Sequence, residues 1–304
     1  MTVWLERWVH QAAAFIGTED FVILGTSALI LISLICGSVG ALVVGNRMAF
    51  FSDALAHCSF AGIALGILTA ILTGSGEDRI EWLLPLVMIG SGVLFGIAIA
   101  FVKEKTSLTS DTVIGVFFAG AIGLGAILFG ALRFFTNKTA EHYLFGSVNF
   151  VTETDLLWLM LLALLTLVVL MTKYNDMVFA SFNASLARSR RIPIRFQNYL
   201  FIVLLALIVN ISIQAVGILL VNAMIIVPAA TAINLSRNLR QMVWWTIGLS
   251  LGTGLIGIWL SFEAGIPIGS QIYRPGPSGY IVVLNVISFI GSMALTFWTR
   301  RVPT

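Results

Sequence analysis

The residues best suited to chemistry are a carboxylate and an imidazole four positions apart, Asp53 and His57. On a helix this spacing places both side chains on one face, one turn apart. A carboxylate oxygen and an imidazole nitrogen form a competent half-site for Zn²⁺ or Mn²⁺. A structural pair that joins two helices by a hydrogen bond is the alternative interpretation, and the spacing leaves both open.

Asp111 and Cys58 are two further candidates. Asp111 stands in the sequence Ser-Asp-Thr at the predicted start of a helix. There a carboxylate either caps the helix, stabilised by its dipole, or lines a pathway for a cation. Cys58 follows His57 directly and points about 100° away from it on a helix, which favours a packing role over that of a third ligand.

The composition indicates which elements position these residues. The chain is 59% hydrophobic and only 10% charged, whereas soluble domains average about 25% charged residues. Its mean hydropathy of +1.00 predicts an all-α bundle of transmembrane helices. Because a bilayer core requires roughly 20 apolar residues per helix, the sequence predicts nine spans, near 21–45, 49–73, 82–102, 111–132, 154–172, 197–213, 214–236, 241–262 and 279–299.

Two details of these spans matter. In the second span, Asp53 and His57 lie roughly 6 and 12 Å from the helix start, and an ionisable side chain at membrane depth is a functional candidate by default. In the seventh span, Asn222 and Pro228 interrupt the apolar run. The sequence therefore leaves open whether this segment crosses fully, and the count is eight or nine.

Basic residues in short loops predict the orientation, with the N-terminus outside the cell and the C-terminus in the cytoplasm. Twelve of the 17 basic residues then face the cytoplasm: Arg47, Lys103, Lys105, Lys173, Arg188, Arg190, Arg191, Arg195, Arg237, Arg240, Arg300 and Arg301. The remaining five lie outside: Arg7, Arg79, Arg133, Lys138 and Arg274. This distribution is typical of membrane topology and argues against a nucleic-acid partner.

Three segments flank or interrupt the transmembrane region 21–304. Residues 1–20 read as an amphipathic helix at the membrane interface. Residues 173–196 form a basic cytoplasmic loop, in which Asn183 is expected to cap a short helix through Arg188. Residues 263–278 form an extracytoplasmic loop that is rich in Gly and Pro and expected to be irregular.

Two motif absences restrict the function. The sequence lacks G-x-x-x-x-G-K-[ST], so this chain is not expected to hold ATP phosphates in a P-loop, and it lacks the His-Glu-x-x-His of zinc proteases. Two kinds of enzyme, a P-loop ATPase and a zinc protease of this type, are therefore not expected. An ATPase-independent secondary metal transporter would more often carry internal repeats with paired broken helices, and it remains the alternative.

Four stretches, in order, resemble the permeases of ABC importers for zinc, manganese or chelated iron. The main one is RMAFFSDALAHCSFAGIALG at 47–66. The others are SDTVIG at 110–115, YLFGS at 143–147 and QAVGILLVNAMIIVPAATA at 214–232. The resemblance covers nearly the whole chain from about residue 20. The loop at 263–278 is longer than this family's usual turn, and the N-terminal segment is extended.

The resemblance implies the fold of type II ABC importer permeases and a set of partners. These are two cytoplasmic ATPase subunits, an extracytoplasmic metal-binding protein, and a second copy of the chain or a sister permease. It implies that Asp53 and His57 carry the translocated Mn²⁺ or Zn²⁺, or iron, with no permanent cofactor. It also implies a place in the cytoplasmic membrane of a prokaryote. The short helix of the loop 173–196 would dock onto the ATPase, with Arg188, Arg190 and Arg191 as the coupling residues.

Overall fold

The structure, a computed structural model, describes residues 3–74, 77–132, 148–182, 184–268, 271–273 and 275–300. The 143–147 stretch, Asn183, Arg133, Lys138, Arg274 and Arg301 lie outside these ranges. The helices are α1 (Val3–Ile16), α2 (Asp20–Gly45), α3 (Ala49–Leu72), α4 (Glu77–Lys105), α5 (Ser110–Leu132), α6 (Glu153–Phe182), α7 (Ala184–Ser189), α8 (Ile194–Val216), α9 (Ile218–Leu235), α10 (Leu239–Glu263) and α11 (Pro277–Arg300).

Nine helices of the described chain are long and apolar enough to span a membrane, as the sequence predicts. The seventh of them, α9, is a continuous helix of 18 residues with Pro228 inside it. The break in this region lies at Gly217, whose φ of 88° separates α8 from α9. This left-handed backbone conformation is open to glycine without a Cβ penalty, so the interruption falls before the span instead of within it.

The expected cytoplasmic loop at 173–196 is mostly helical, which corrects the prediction of its first half. Helix α6 continues through 173–182, because Tyr174, Met177, Val178 and Phe179 extend its apolar pattern past the predicted span end. The short helix is present as α7. The N-terminal segment is also helical, as α1, and its place at the membrane interface stays a prediction.

The expected irregular loop at 263–278 contains a small antiparallel hairpin, which corrects a second expectation and adds two strands to an otherwise helical chain. Strand β1 (Ile266–Ile268) pairs with β2 (Gln271–Tyr273). The segment is tied to its flanking helices by two hydrogen bonds. Tyr280 donates to the Ala264 carbonyl at 2.7 Å, and Ser261 donates to the Pro275 carbonyl at 3.0 Å.

The chain forms two compact units. One comprises 45–144 and 164–214, and in it α3 packs closely against both α4 and α5. Small residues make this approach close: a methyl group at Gly62 would lie 3.4 Å from Cα of Met88, and one at Gly125 would lie 3.3 Å from the Ala61 nitrogen. Helix association in lipid relies on such contacts, because lipid provides no hydrophobic drive between helices.

The other unit comprises 1–44, 145–163 and 215–304, and its helices α9, α10 and α11 pack mutually. A methyl group at Gly257 would lie 3.1 Å from the backbone of Ile281. Two hydrogen bonds between side chains link the helices further, from Thr253 to Asn285 and from Asn234 to Ser292, both at 3.0 Å. Interhelical bonds of this kind stabilise bundles in membranes.

Candidate metal site

Helix α3 presents Asp53 and His57 on one face, as the spacing predicts. Imidazole Nδ1 of His57 lies 3.6 Å from Oδ1 of Asp53. The two side chains are 34% and 28% exposed, while Ser52, Ala54, Leu55 and Ala56 on the rest of the turn are buried. The carboxylate and the imidazole are therefore the reachable polar groups of this turn.

The ring of His57 is held by its own helix. Nδ1 lies 3.0 Å from the backbone carbonyl oxygen of Asp53. Because a carbonyl oxygen only accepts hydrogen bonds, Nδ1 is the donor and carries the proton. In the neutral ring the lone pair is then on Nε2, and a histidine binds metals through such a nitrogen while its other nitrogen is fixed by a hydrogen bond.

Phe118 of α5 holds the other side of this ring. The two ring centroids are 4.9 Å apart with the planes tilted by 56°. The neighbouring Cys58 is buried and packs with Ala61 and Ala121, and its thiol is free. The packing role predicted for Cys58 is confirmed, and the contact with Phe118 is one that the local sequence did not indicate.

Asp53 and His57 by themselves could supply only two of a metal ion's ligands. Within the described ranges, no group of three or more His, Cys, Asp and Glu side chains is arranged to hold a metal. A tetrahedral Zn²⁺ needs four ligands, and Mn²⁺ prefers six oxygen-rich positions. The pair therefore needs ligands from beyond this part of the chain.

A second aspartate–histidine pair occurs in the described chain, and sequence analysis missed it. Nδ1 of His10 on α1 lies 3.2 Å from Oδ2 of Asp20 at the start of α2. These residues are ten positions apart, and a turn between two helices brings them together. Their side chains are 81% and 52% exposed, so they form a solvated surface contact.

Asp111 lies at the start of α5, but it is not the cap. The hydroxyl of Thr109 accepts the backbone N–H of Thr112 at 3.3 Å and lies 2.8 Å from the Thr112 hydroxyl. Thr109 therefore takes the capping position one residue before the helix, which corrects the capping alternative for Asp111. Asp111 is exposed in the first turn, and it lines a cavity that Asp53 and His57 do not line.

The three arginines lie at and just after the end of α7, and the structure describes their surroundings. Arg188, Arg190 and Arg191 are all exposed. The guanidinium of Arg190 lies 4.5 Å from the ring centroid of Phe179 on α6. Arg191 has a φ of 56°, and its N–H donates to the Arg188 carbonyl at 3.0 Å. The chain reverses here and presents the charges together.

The cavity beside Asp111 was not foreseen from the sequence. It has a volume of about 730 Å³ and is lined by the ends of five helices, α3, α4, α5, α6 and α8. Glu104 accepts hydrogen bonds there from Arg195 at 2.8 Å and from Tyr199 at 3.2 Å. Its polar residues are individually ordinary at helix ends, and only the packing makes them converge.

A known protein family and several known proteins match most of this chain. Residues 18–296 match the ABC 3 transport family. The manganese import system permease protein ScaB of Streptococcus gordonii is 29% identical over 259 residues, which cover 84% of this chain and 88% of that protein. The manganese transport system membrane protein MntC of Halalkalibacterium halodurans is 30% identical over 247 residues, covering 81% of this chain and 80% of that protein.

A solved structure shares the fold. In the complex described as PsaBC from Streptococcus pneumoniae with Fab, one chain superposes with a TM-score of 0.74 at 24% sequence identity. The match covers 94% of this chain and 95% of that one. The likeness therefore extends over nearly the full length of both chains.

Proposed function

The chain belongs to the ABC 3 transport family, and on that premise we propose that it is the membrane-spanning permease subunit of an ATP-driven importer of divalent transition-metal ions. The ion is cargo and not a resident cofactor. ATP hydrolysis then belongs to a separate subunit. No observation on this chain favours the alternative of a secondary transporter that works without an ATPase.

The observation that carries the proposal is the geometry of Asp53 and His57. A cation that leaves water must exchange its hydration shell for fixed ligands. The Asp53 carboxylate supplies negative charge. The hydrogen bond from Nδ1 to the Asp53 carbonyl leaves Nε2 of His57 to offer its lone pair to a metal. Both groups are reachable on a span that is otherwise apolar, where ionisable residues are costly to place.

A second permease completes the ligand set. A two-fold axis beside α3 would bring two carboxylates and two imidazoles together, and these are the four ligands that a tetrahedral Zn²⁺ needs, two from each chain. We assign the second copy to this chain itself or to a sister permease. Two ATPase subunits on the cytoplasmic side and an extracytoplasmic metal-binding protein complete the assembly.

The orientation follows the basic residues, with the N-terminus outside and the C-terminus inside the cytoplasmic membrane. This orientation places α7 and the arginines 188, 190 and 191 in the cytoplasm, where exposed cations on a short helix suit a docking contact with the ATPase. The 263–278 segment then faces the metal-binding protein. Asp111, at the cytoplasmic end of α5, stays a prediction as a later point on the cation's path.

Mn²⁺, Zn²⁺ and iron are the candidate cargoes. The two relatives named for manganese support Mn²⁺. Carboxylate and imidazole ligands bind Zn²⁺ more tightly than Mn²⁺ at equal availability, so the half-site alone does not select manganese. We assign selection mainly to the extracytoplasmic metal-binding protein.

The test replaces the half-site without changing its shape. We expect Asp53→Asn and His57→Gln, singly and together, to lower the cellular uptake of Mn²⁺ and Zn²⁺ by at least about 100-fold. Removing a residue that only orients a metal ligand costs up to about 100-fold, so removing a ligand itself should cost at least as much. Expression, insertion and dimer formation should be unchanged. The measurement is uptake of radioactive metal at matched protein level.

A matched control exists in the chain. His10→Gln with Asp20→Asn makes the same chemical exchanges in a solvated pair and should leave uptake within about two-fold, since surface ion pairs contribute little. A purely structural pair at 53 and 57 would tolerate the Asn exchange, because it resembles a polar helix contact of about 1–2 kcal/mol. Robust uptake by the double variant at positions 53 and 57 would mean that both residues have a structural role and do not bind the metal.

A further inference from the structure

The cavity of about 730 Å³ in the unit formed by 45–144 and 164–214 is lined by neither Asp53 nor His57 and shares only Asp111 with the proposed path of the cation. Three helices begin at its wall, α3 just after Arg47, α5 at Ser110 and α8 just before Arg195. Helix N-termini present unpaired backbone N–H groups and positive dipole ends, which attract anions. The backbone already gives the cavity a positive bias.

The charged side chains strengthen this bias. Arg47, Lys103 and Arg195 face two carboxylates, Glu104 and Asp111, so the lining is positive by one charge. Arg195 is paired with Glu104 at 2.8 Å. The ion pairs of the described chain include neither Arg47 nor Lys103. Arg47 and Lys103 therefore share the cavity with one remaining carboxylate, Asp111, and a ligand with a single negative charge would balance the lining.

A buried polar atom indicates a second property of the ligand. Gln197 on α8 is only 2% exposed and lines the cavity, and its Oε1 has no hydrogen-bond partner among the described residues. Leaving a buried acceptor unsatisfied costs about 1–3 kcal/mol. A ligand with a hydroxyl or N–H group would satisfy this oxygen.

Part of the wall is apolar, through Phe51, Ile99, Ile114 and Phe201. Large side chains adjacent in sequence to lining residues are exposed: Phe50 is 45%, Phe101 54% and Phe196 55% exposed. An apolar rim beside a polar pocket suits a molecule with a hydrocarbon part. Basic pockets between transmembrane helices on the cytoplasmic side are a known mode of anionic lipid binding.

We propose that this cavity binds a phosphodiester that carries free hydroxyl groups, supplied by an anionic glycerophospholipid of the phosphatidylglycerol type. The phosphate lies between Arg47 and Lys103, a head-group hydroxyl donates to Oε1 of Gln197, and an acyl chain follows the apolar rim. The cytoplasmic leaflet rests on the orientation proposed above, whereas the contacts proposed for the lipid involve neither Asp53 nor His57.

The test measures lipid binding to the purified full-length chain. Phosphatidylglycerol should bind more tightly than phosphatidylcholine, as measured by native mass spectrometry and by thermal stabilisation in detergent. Arg47→Gln and Lys103→Gln should each weaken it about five-fold, and together about 25-fold, the loss expected for one surface lysine or arginine per step. Lys105→Gln, two residues further along α4 and outside the cavity, should change binding less than two-fold.

Gln197→Leu tests the hydroxyl separately. The wild-type chain should prefer phosphatidylglycerol over phosphatidic acid, which lacks head-group hydroxyls, and the variant should lose that preference while keeping its thermal stability without lipid. Equal phosphatidylglycerol binding by the Arg47→Gln, Lys103→Gln double variant would overturn the proposal. If soluble glycerol 3-phosphate stabilises the protein against heat with the same dependence on these residues, the ligand need not be a lipid, and the proposed lipid source is wrong.

Discussion

At the scale of single residues, one hydrogen bond determines how His57 can act. The bond from Nδ1 to the Asp53 carbonyl joins positions one turn apart, so the same helical geometry that aligns the two side chains also selects the imidazole tautomer. Phe118 limits rotation of the ring from the neighbouring helix. A neutral imidazole fixed in this way gives up little conformational entropy when it binds a cation.

The roles of Asp111 and Thr109 can be tested separately by single substitutions. Because Thr109 provides the cap, Thr109→Ala should cost about 1 kcal/mol of stability and leave the charge in place. Asp111→Asn should change stability by less, about 0.3–1 kcal/mol through the helix dipole. If Asp111 lies on the cation's path, its variant lowers metal uptake and the Thr109 variant does not.

The check combines thermal melting of both purified variants with uptake at matched expression. Equal uptake by the two variants would remove Asp111 from the path. Its carboxylate would then serve only the charge balance of the cavity that it lines.

At the scale of elements, helices pack where glycine allows backbones to touch. A methyl group at Gly40 of α2 would collide with the carbonyl oxygen of Ile225 on α9, and backbone atoms cannot turn aside as a side chain can. Gly252 of α10 is also helical, but a methyl group there meets nothing within 4 Å. The two positions are a matched pair within one unit.

Gly40→Ala should therefore lower stability by about 1–3 kcal/mol, the usual cost of overpacking. Gly252→Ala should be neutral or stabilise by up to about 1 kcal/mol, because alanine is the better helix former. Thermal unfolding of the detergent-purified variants measures both. Equal melting temperatures would mean that α2 and α9 are less closely packed than the structure indicates.

The short helix α7 carries a separate prediction. Replacing Arg188, Arg190 and Arg191 with Glu should abolish co-purification of the ATPase while membrane insertion stays normal, because the exposed cations would become repulsive. Arg237→Glu with Arg240→Glu, on a different loop of the predicted cytoplasmic side, is the control and should retain most of the ATPase. Unchanged co-purification by the triple variant would count against docking at α7.

At the scale of the whole molecule, membrane topology decides which face each partner meets. The sequence places 74–81 and 263–278 outside and 103–110 and 173–196 inside. The two native cysteines are buried, so they give little background in a labelling experiment. The orientation is then directly measurable with an impermeant reagent.

Single cysteines placed in 74–81 or 263–278 should label in intact cells. Those placed in 103–110 or 173–196 should label only after permeabilisation, since 12 of 17 basic residues mark that side as cytoplasmic. Labelling with the impermeant reagent before and after permeabilisation distinguishes the external cysteines from the cytoplasmic ones. External labelling at position 190 would reverse the orientation and, with it, the assignment of α7 to the ATPase.

The sequence by itself determined the nine apolar spans and the pairing of Asp53 with His57. Both depend on local rules: a bilayer fixes the length of an apolar helix, and helical periodicity fixes which side chains share a face. The buried packing role of Cys58 followed from the same periodicity. The seventh span was harder to predict, because Pro228 suggested an interruption there. In the structure Pro228 lies inside a continuous helix.

Only the tertiary structure decided which residues from different helices meet. It set Phe118 against His57, joined His10 to Asp20, and enclosed Gln197 with Arg47 and Lys103 in one cavity. It also extended α6 past residue 173 and folded β1 onto β2. These contacts depend on how closely backbones approach and at what angle, which is a property of packed surfaces and not of the periodicity of any single segment.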